Sequence, residues 1–138
     1  MLTLSLALAL IIIDPRTSKT VLASAGCQTD ITTLRKMLHA RLVQYEHNHQ
    51  STMSTEAAAQ LLSVTLYYRR FFPYYAFCML AGLDEKGRGA VYGYDAVGSF
   101  KRDDYGCMGS GQNFIMPILD NLVCQPHLCL HLISLSPI

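Results

Sequence analysis

The ten residues "YYAFCMLAGL" (74–83) carry an apolar or small side chain at every position. In an extended chain successive side chains point to opposite faces, so both faces of this segment are apolar. A strand with one solvated face would alternate with polar residues. The expectation is a strand covered on both sides, in a fold with a layer beyond its own sheet. Pro73, just ahead of it, suits neither a helix interior nor a helical neighbour. "DEKGRG" (84–89) then supplies turn residues, and "AVYGYDAVGS" (90–99) returns as a second strand.

Other elements follow from periodicity. "SKTVLASAG" (18–26) reads as a short buried strand ending in Gly26. Ile31, Leu34, Leu38, Leu42 and Tyr45 repeat at helical spacing behind a cap at Thr29 or Asp30. Arg35, Lys36, His39, Gln44 and Glu46 take the other side, and "HNHQSTM" ends the helix. Ser54-Thr55-Glu56 opens a second one, with a capping hydroxyl, an acid in the first turn and a stripe of Ala58, Leu61, Leu62, Thr65 and Leu66. The short link makes the two helices antiparallel neighbours. Residues 100–111 read as extended, and 112–122 as a helix kinked or restarted at Pro117. The order strand, helix, helix, strand, strand, strand, helix predicts an antiparallel sheet with helices packed on it.

Composition narrows the function. Charged residues make up 15% of the 138 and hydrophobic ones 51%, against about 25% charged in ordinary soluble domains. A surface so poor in charge is expected to be covered partly by partners. The net charge of +1 gives no electrostatic footprint for nucleic acid or anionic lipid. Five cysteines (27, 78, 107, 124 and 129), an odd number without framework spacing, read as reduced intracellular thiols.

The ends look foreign to the middle. "MLTLSLALALIII" is shorter than the ~20 residues of a spanning helix. It also has neither a basic start nor a small-residue cleavage site, so no signal peptide or membrane anchor is expected. Residues 1–15 are taken as a divergent apolar leader, 16–122 as one domain and 123–138 as a divergent tail.

Several short motifs invite chemistry and fail on detail. "GLDEKGRG" lacks the Lys and hydroxyl of a phosphate loop and places Asp84 and Glu85 where phosphates would sit, so it is a hairpin turn. "MGSGQ" (108–112) has Met108 and Gln112 in place of the outer glycines of a nucleophile elbow; Ser110 is expected to cap the helix that follows. His47 and His49 lie two apart on a helix end and diverge. Cys124, His127, Cys129 and His131 match no usual closed zinc site, so neither metal nor cofactor is expected. Arg69, Arg70, Phe71, Phe72, Tyr74 and Tyr75 could form a stacking platform for nucleic acid. With so little net charge they read better as interface anchors.

Longer blocks carry a resemblance. "SKTVLASAGCQTD", "LHARLVQYEHNHQSTMSTEAAAQLLSVTLYYRRFFPYYAF", "GLDEKGRGAVYGYDAVGS" and "GSGQNFIMPILDN" occur in an order that resembles the beta subunits of the proteasome core particle. The blocks are most similar to the non-catalytic member at the sixth beta position of the ring, and the likeness spans residues 16–122. It implies an α+β fold of the N-terminal-nucleophile hydrolase type, an αββα sandwich of two antiparallel sheets between helical layers. In this chain the sandwich is expected to be incomplete, with both ends departing from the family as an alternative transcript would, or a frame running into non-coding sequence. Catalytic relatives expose a threonine by cleaving a Gly-Thr bond, and no Gly-Thr dipeptide occurs here. Of the supporting residues only Ser110 falls on a family position, that of a helper serine. The resemblance therefore implies no catalytic residue, and a structural subunit that helps build the ring for ubiquitin-dependent protein breakdown. Its partners would be the other alpha and beta subunits of a hetero-oligomeric ring stack, in cytoplasm and nucleus, with no nucleic acid and no membrane. The alternatives are a threonine-type N-terminal-nucleophile peptidase subunit, a self-sufficient N-terminal-nucleophile hydrolase with a cryptic nucleophile at Gly26-Cys27, Gly98-Ser99 or Gly106-Cys107, a secreted or membrane-anchored module using the leader, or a truncated product without function.

Overall fold

The computed structural model describes residues 9–12 and 20–123. They form β1 (Ala9–Ile12), β2 (Thr20–Gly26), α1 (Gln28–His49), α2 (Thr55–Tyr67), β3 (Ala76–Leu83), β4 (Gly89–Tyr94), β5 (Phe100–Asp103) and α3 (Gln112–Val123). The strands make one antiparallel sheet in the order β1-β2-β3-β4-β5. Sequence reasoning assigned no element to the leader, yet Ala9–Ile12 pairs with β2, Ile11 opposite Leu22. A four-residue apolar run has no period of its own to display; the ladder partner defines it.

Both helices lie between β2 and β3 in the chain and cover one face of the sheet. Ile31, Leu34 and Leu38 of α1 and Ala58, Ala59, Leu62 and Leu66 of α2 bury against Leu22, Ala76, Cys78, Leu80, Ala90, Tyr92 and Tyr94. Register explains the selection: Leu22, Leu80 and Tyr92 are direct cross-strand partners and therefore share a face. Each fully buried leucine contributes roughly 1.5–3 kcal/mol.

Polar ties fix α2 on the sheet. The Thr55 hydroxyl donates to the Leu83 carbonyl (2.6 Å), which leaves Thr20 as donor in the 3.1 Å Thr20–Thr55 contact. Tyr94 Oη donates to the Ala59 carbonyl at 2.7 Å, and Ser63 Oγ to the Gly98 carbonyl at 2.6 Å. Burial holds the Tyr94 phenol above its ordinary pKa and raises the Cys78 thiol too, Ser24 drawing the latter partly back. Both groups stay protonated in the core.

The two hairpins use one turn chemistry. In Asp84-Glu85-Lys86-Gly87 and in Asp95-Ala96-Val97-Gly98 the aspartate carbonyl accepts from the glycine amide three residues on, and the glycine has positive φ (74° and 89°). Each aspartate carboxylate also takes two amides of its own loop: Lys86 and Arg88 for Asp84, Val97 and Ser99 for Asp95. Asp84 is also met by Arg88 and by Arg102 of β5, and its side chain is only 5% exposed. The Arg88 amide above all, with the other donors, holds the Asp84 carboxyl down at about 2.

Five expectations need correction. The α1 cap is Cys27, one turn before Asp30: Gly26 (φ 137°) brings the chain against β3, where the Cys27 amide donates to the Tyr75 carbonyl. Among the described residues helices cover β3 on one face only; on the other, Met79 meets Gly106, Gly109 approaches Ala25, and Phe77 is 37% exposed. Residues 100–111 are strand only through Asp103. α3 runs unbroken through Pro117, and its first amides go to the carbonyls of Gly109 and Gly111 rather than to the Ser110 hydroxyl.

Candidate docking surface

The end of α2 decides where the aromatic run goes. After Tyr67 the helix tightens into successive short turns, Arg69 N to Leu66 O, Arg70 N to Tyr67 O and Phe72 N to Arg69 O. Pro73 then stops it. A run of large side chains cannot share the single buried stripe of a helix end, so most of it faces out. Tyr68, Phe71 and Phe72 are 88%, 88% and 81% exposed, and Tyr67 and Tyr75 are more than half exposed.

This rim is pinned from below. The Tyr75 amide donates to Asp30 Oδ2 (2.9 Å) and its carbonyl accepts from the Cys27 amide (2.8 Å), which ties the segment to the start of α1. The approach is so close that a Cβ at Gly26 would lie 2.3 Å from the Tyr75 oxygen. Only glycine fits there. Tyr74 points inward at 4% exposure, and its hydroxyl has no hydrogen-bond partner among the described residues. Alternation along the chain entering β3 turns it to the core, so it supports the rim and does not line it.

The arginines lie on ring faces. The Arg69 guanidinium sits 5.1 Å from the Tyr74 centroid; that of Arg70 sits 4.5 Å from Phe71 and 4.9 Å from Tyr67. Tyr75 and Phe77 meet edge to face at 5.6 Å, so the rim continues onto the less covered face of the sheet. Beyond it α3 buries no residue among those described and exposes Phe114 and Ile118; Cys107 Sγ lies 3.6 Å from Met116 Sδ at its base.

Five of the six residues singled out from sequence, Arg69, Arg70, Phe71, Phe72 and Tyr75, share this surface. Tyr67, Tyr68 and Phe77 also belong to it; they fall within the stretches 30–68 and 71–77 expected to supply packing and contact, without being singled out. The signal for the first two was a pair of adjacent aromatics at a helix end, where one stripe cannot bury both. Ser110 is exposed at the turn before α3. His47 and His49 end α1, His49 stacking on Tyr45 at 4.1 Å. Cys124, His127, Cys129 and His131 lie outside the described residues. Among those described, no three His, Cys, Asp or Glu side chains gather where a metal could bind, and no helix is long and apolar enough to cross a membrane. What the arrangement offers is adhesion: exposed rings and two forked cations on a braced loop.

Comparison with known proteins identifies the family. Residues 13–132 match the family model described as "Proteasome subunit". "Proteasome subunit beta type-1" of Arabidopsis thaliana is 55% identical over 108 residues, 78% of this chain and 48% of that protein. The protein of the same name from Oryza sativa subsp. japonica is 56% identical over 108 residues, 78% and 49% of the two chains. That from Danio rerio is 48% identical over 107 residues, 78% and 45%. The chain spans about half the length of the curated relatives it matches.

Proposed function

This chain belongs to the proteasome subunit family, and on that premise we propose that it is a non-catalytic beta subunit contributing to assembly of the core particle. Its fold is the family's α+β, N-terminal-nucleophile hydrolase type, seen here as one antiparallel sheet with helices on it. The observation that carries the assembly role is the braced rim of exposed aromatics at 67–77. Large aromatic rings exposed on a backbone tied down beneath them are what interface cores are made of. Its partners are other alpha and beta subunits of the ring stack, its place of work is cytoplasm and nucleus, and its contribution is to ubiquitin-dependent protein breakdown.

The non-catalytic role is supported by how the glycine junctions are held. A nucleophile freed at an N-terminus needs its own amine as base. The Cys27 amide donates to the Tyr75 carbonyl and the Ser99 amide to Asp95 at 2.7 Å, so cleavage after Gly26 or Gly98 would cut into the β2–α1 junction or the second hairpin. Affinity purification of the tagged full chain from its own cells tests the reading. Alpha and beta subunits in the eluate, together with an uncleaved intact mass, are expected. An eluate without them, or a mass showing cleavage after Gly26, Gly98 or Gly106, would refute it.

A further inference from the structure

We propose that Arg69 and Arg70 receive carboxylates from a neighbouring subunit, on a segment whose apolar side chains cover the rings of Tyr68, Phe71 and Phe72. The inference rests on the subunit reading above and adds the chemistry of what docks.

The two guanidiniums are charged at any relevant pH. Each presents a flat face to an aromatic ring, at 5.1 Å for Arg69 and 4.5 Å for Arg70, and neither is ion-paired among the described residues. Stacking on a ring uses the face of the fork and leaves its in-plane N–H groups for a carboxylate. The cations of the hairpins are differently placed: Arg88 and Arg102 reach Asp84, and Lys101 reaches Asp103 at 2.6 Å. Asp30, the carboxylate that does reach the rim, is occupied by the Tyr75 amide at 2.9 Å.

The rings set the rest of the partner's character. An acid alone would leave Phe71 and Phe72, at 88% and 81% exposure, in water. A segment alternating acidic and aliphatic or aromatic residues satisfies both halves of the surface. A phosphate backbone fits less well, since residues 64–83 contain no cation beyond the two arginines and the chain's net charge is only +1.

The test places a photo-crosslinking p-benzoylphenylalanine at position 72 of the full chain in its own cells, and identifies the cross-linked peptide by mass spectrometry. The cross-link is expected on a subunit segment with two or more Asp or Glu residues close together. Adding Arg69→Glu and Arg70→Glu should lower its yield about tenfold, and Arg69→Gln with Arg70→Gln less. The melting temperature should hold in each variant, because both arginines are exposed. A cross-link on a subunit segment without acids, or a yield that ignores the glutamates, overturns the carboxylate docking while the subunit reading stands. Cross-links to nucleic acid overturn the docking as well. No cross-link to any alpha or beta subunit from the unaltered arginine background overturns both.

Discussion

Two groups of aromatics sit on either side of α2 and answer different demands. Tyr92, Tyr94 and Phe100 lie beneath or beside it: Tyr94 stacks on Phe100 at 5.3 Å, Tyr92 meets Phe100 edge-on at 5.9 Å, and the Tyr94 hydroxyl is spent on the Ala59 carbonyl. Tyr68, Phe71 and Phe72, just past its end, have the same chemistry and almost no cover. Residue type does not separate the two groups. Position relative to the helix stripe and the strand ladder does. The inner group holds the fold, and the outer group is left for something else to cover.

The comparison can be broken in several places. Leu80→Ala, at the centre of the inner group's layer and fully buried, should cost about 2–5 kcal/mol, read as a lowered urea midpoint. A smaller loss would mean that the layer is loosely packed. Tyr94→Phe removes one buried bond to Ala59 and should cost about 0.5–1.5 kcal/mol, while leaving partner recovery unchanged. Acid sharpens the picture on the hairpin side. The Asp84 carboxyl, held at about 2 against an ordinary 3.8, stabilises the fold fully above its unfolded pKa. That contribution is lost as pH falls from about 4 through about 2. Asp84→Asn should flatten the stability profile across that window; an unchanged slope would locate the acid sensitivity elsewhere. Phe72→Ala should have the smallest effect on stability, within about 0.5 kcal/mol in a melting curve, because the ring is exposed.

How much of this was legible depended on how local the cause was. α2 was readable because Ser54 caps it, accepting from the Ala57 amide, and its buried stripe repeats at helical spacing. The hairpin turns were readable from their glycines and acids. The start of α1 was not, because contact between Gly26 and Tyr75 far along the chain sets it. β1 was missed for a similar reason: pairing with Thr20–Gly26 makes it a strand. The unbroken apolar run of β3 showed what both faces tolerate, not what would be present to cover them. For the candidate site, exposure of the rim followed from where the α2 stripe ends, but the inward turn of Tyr74 required the strand's register.

The most direct measurement compares size-exclusion profiles of the tagged full chain and its Phe72→Ala variant, each expressed in its own cells, with mass spectrometry across the fractions. An assembly-competent subunit should elute at core-particle size with alpha and beta subunits, and the variant, equally stable, should shift to small species. Elution of the unaltered chain only as aggregates or chaperone complexes, or co-elution of the variant with the particle at full yield, would contradict the claim that the outer aromatics are there to dock neighbours.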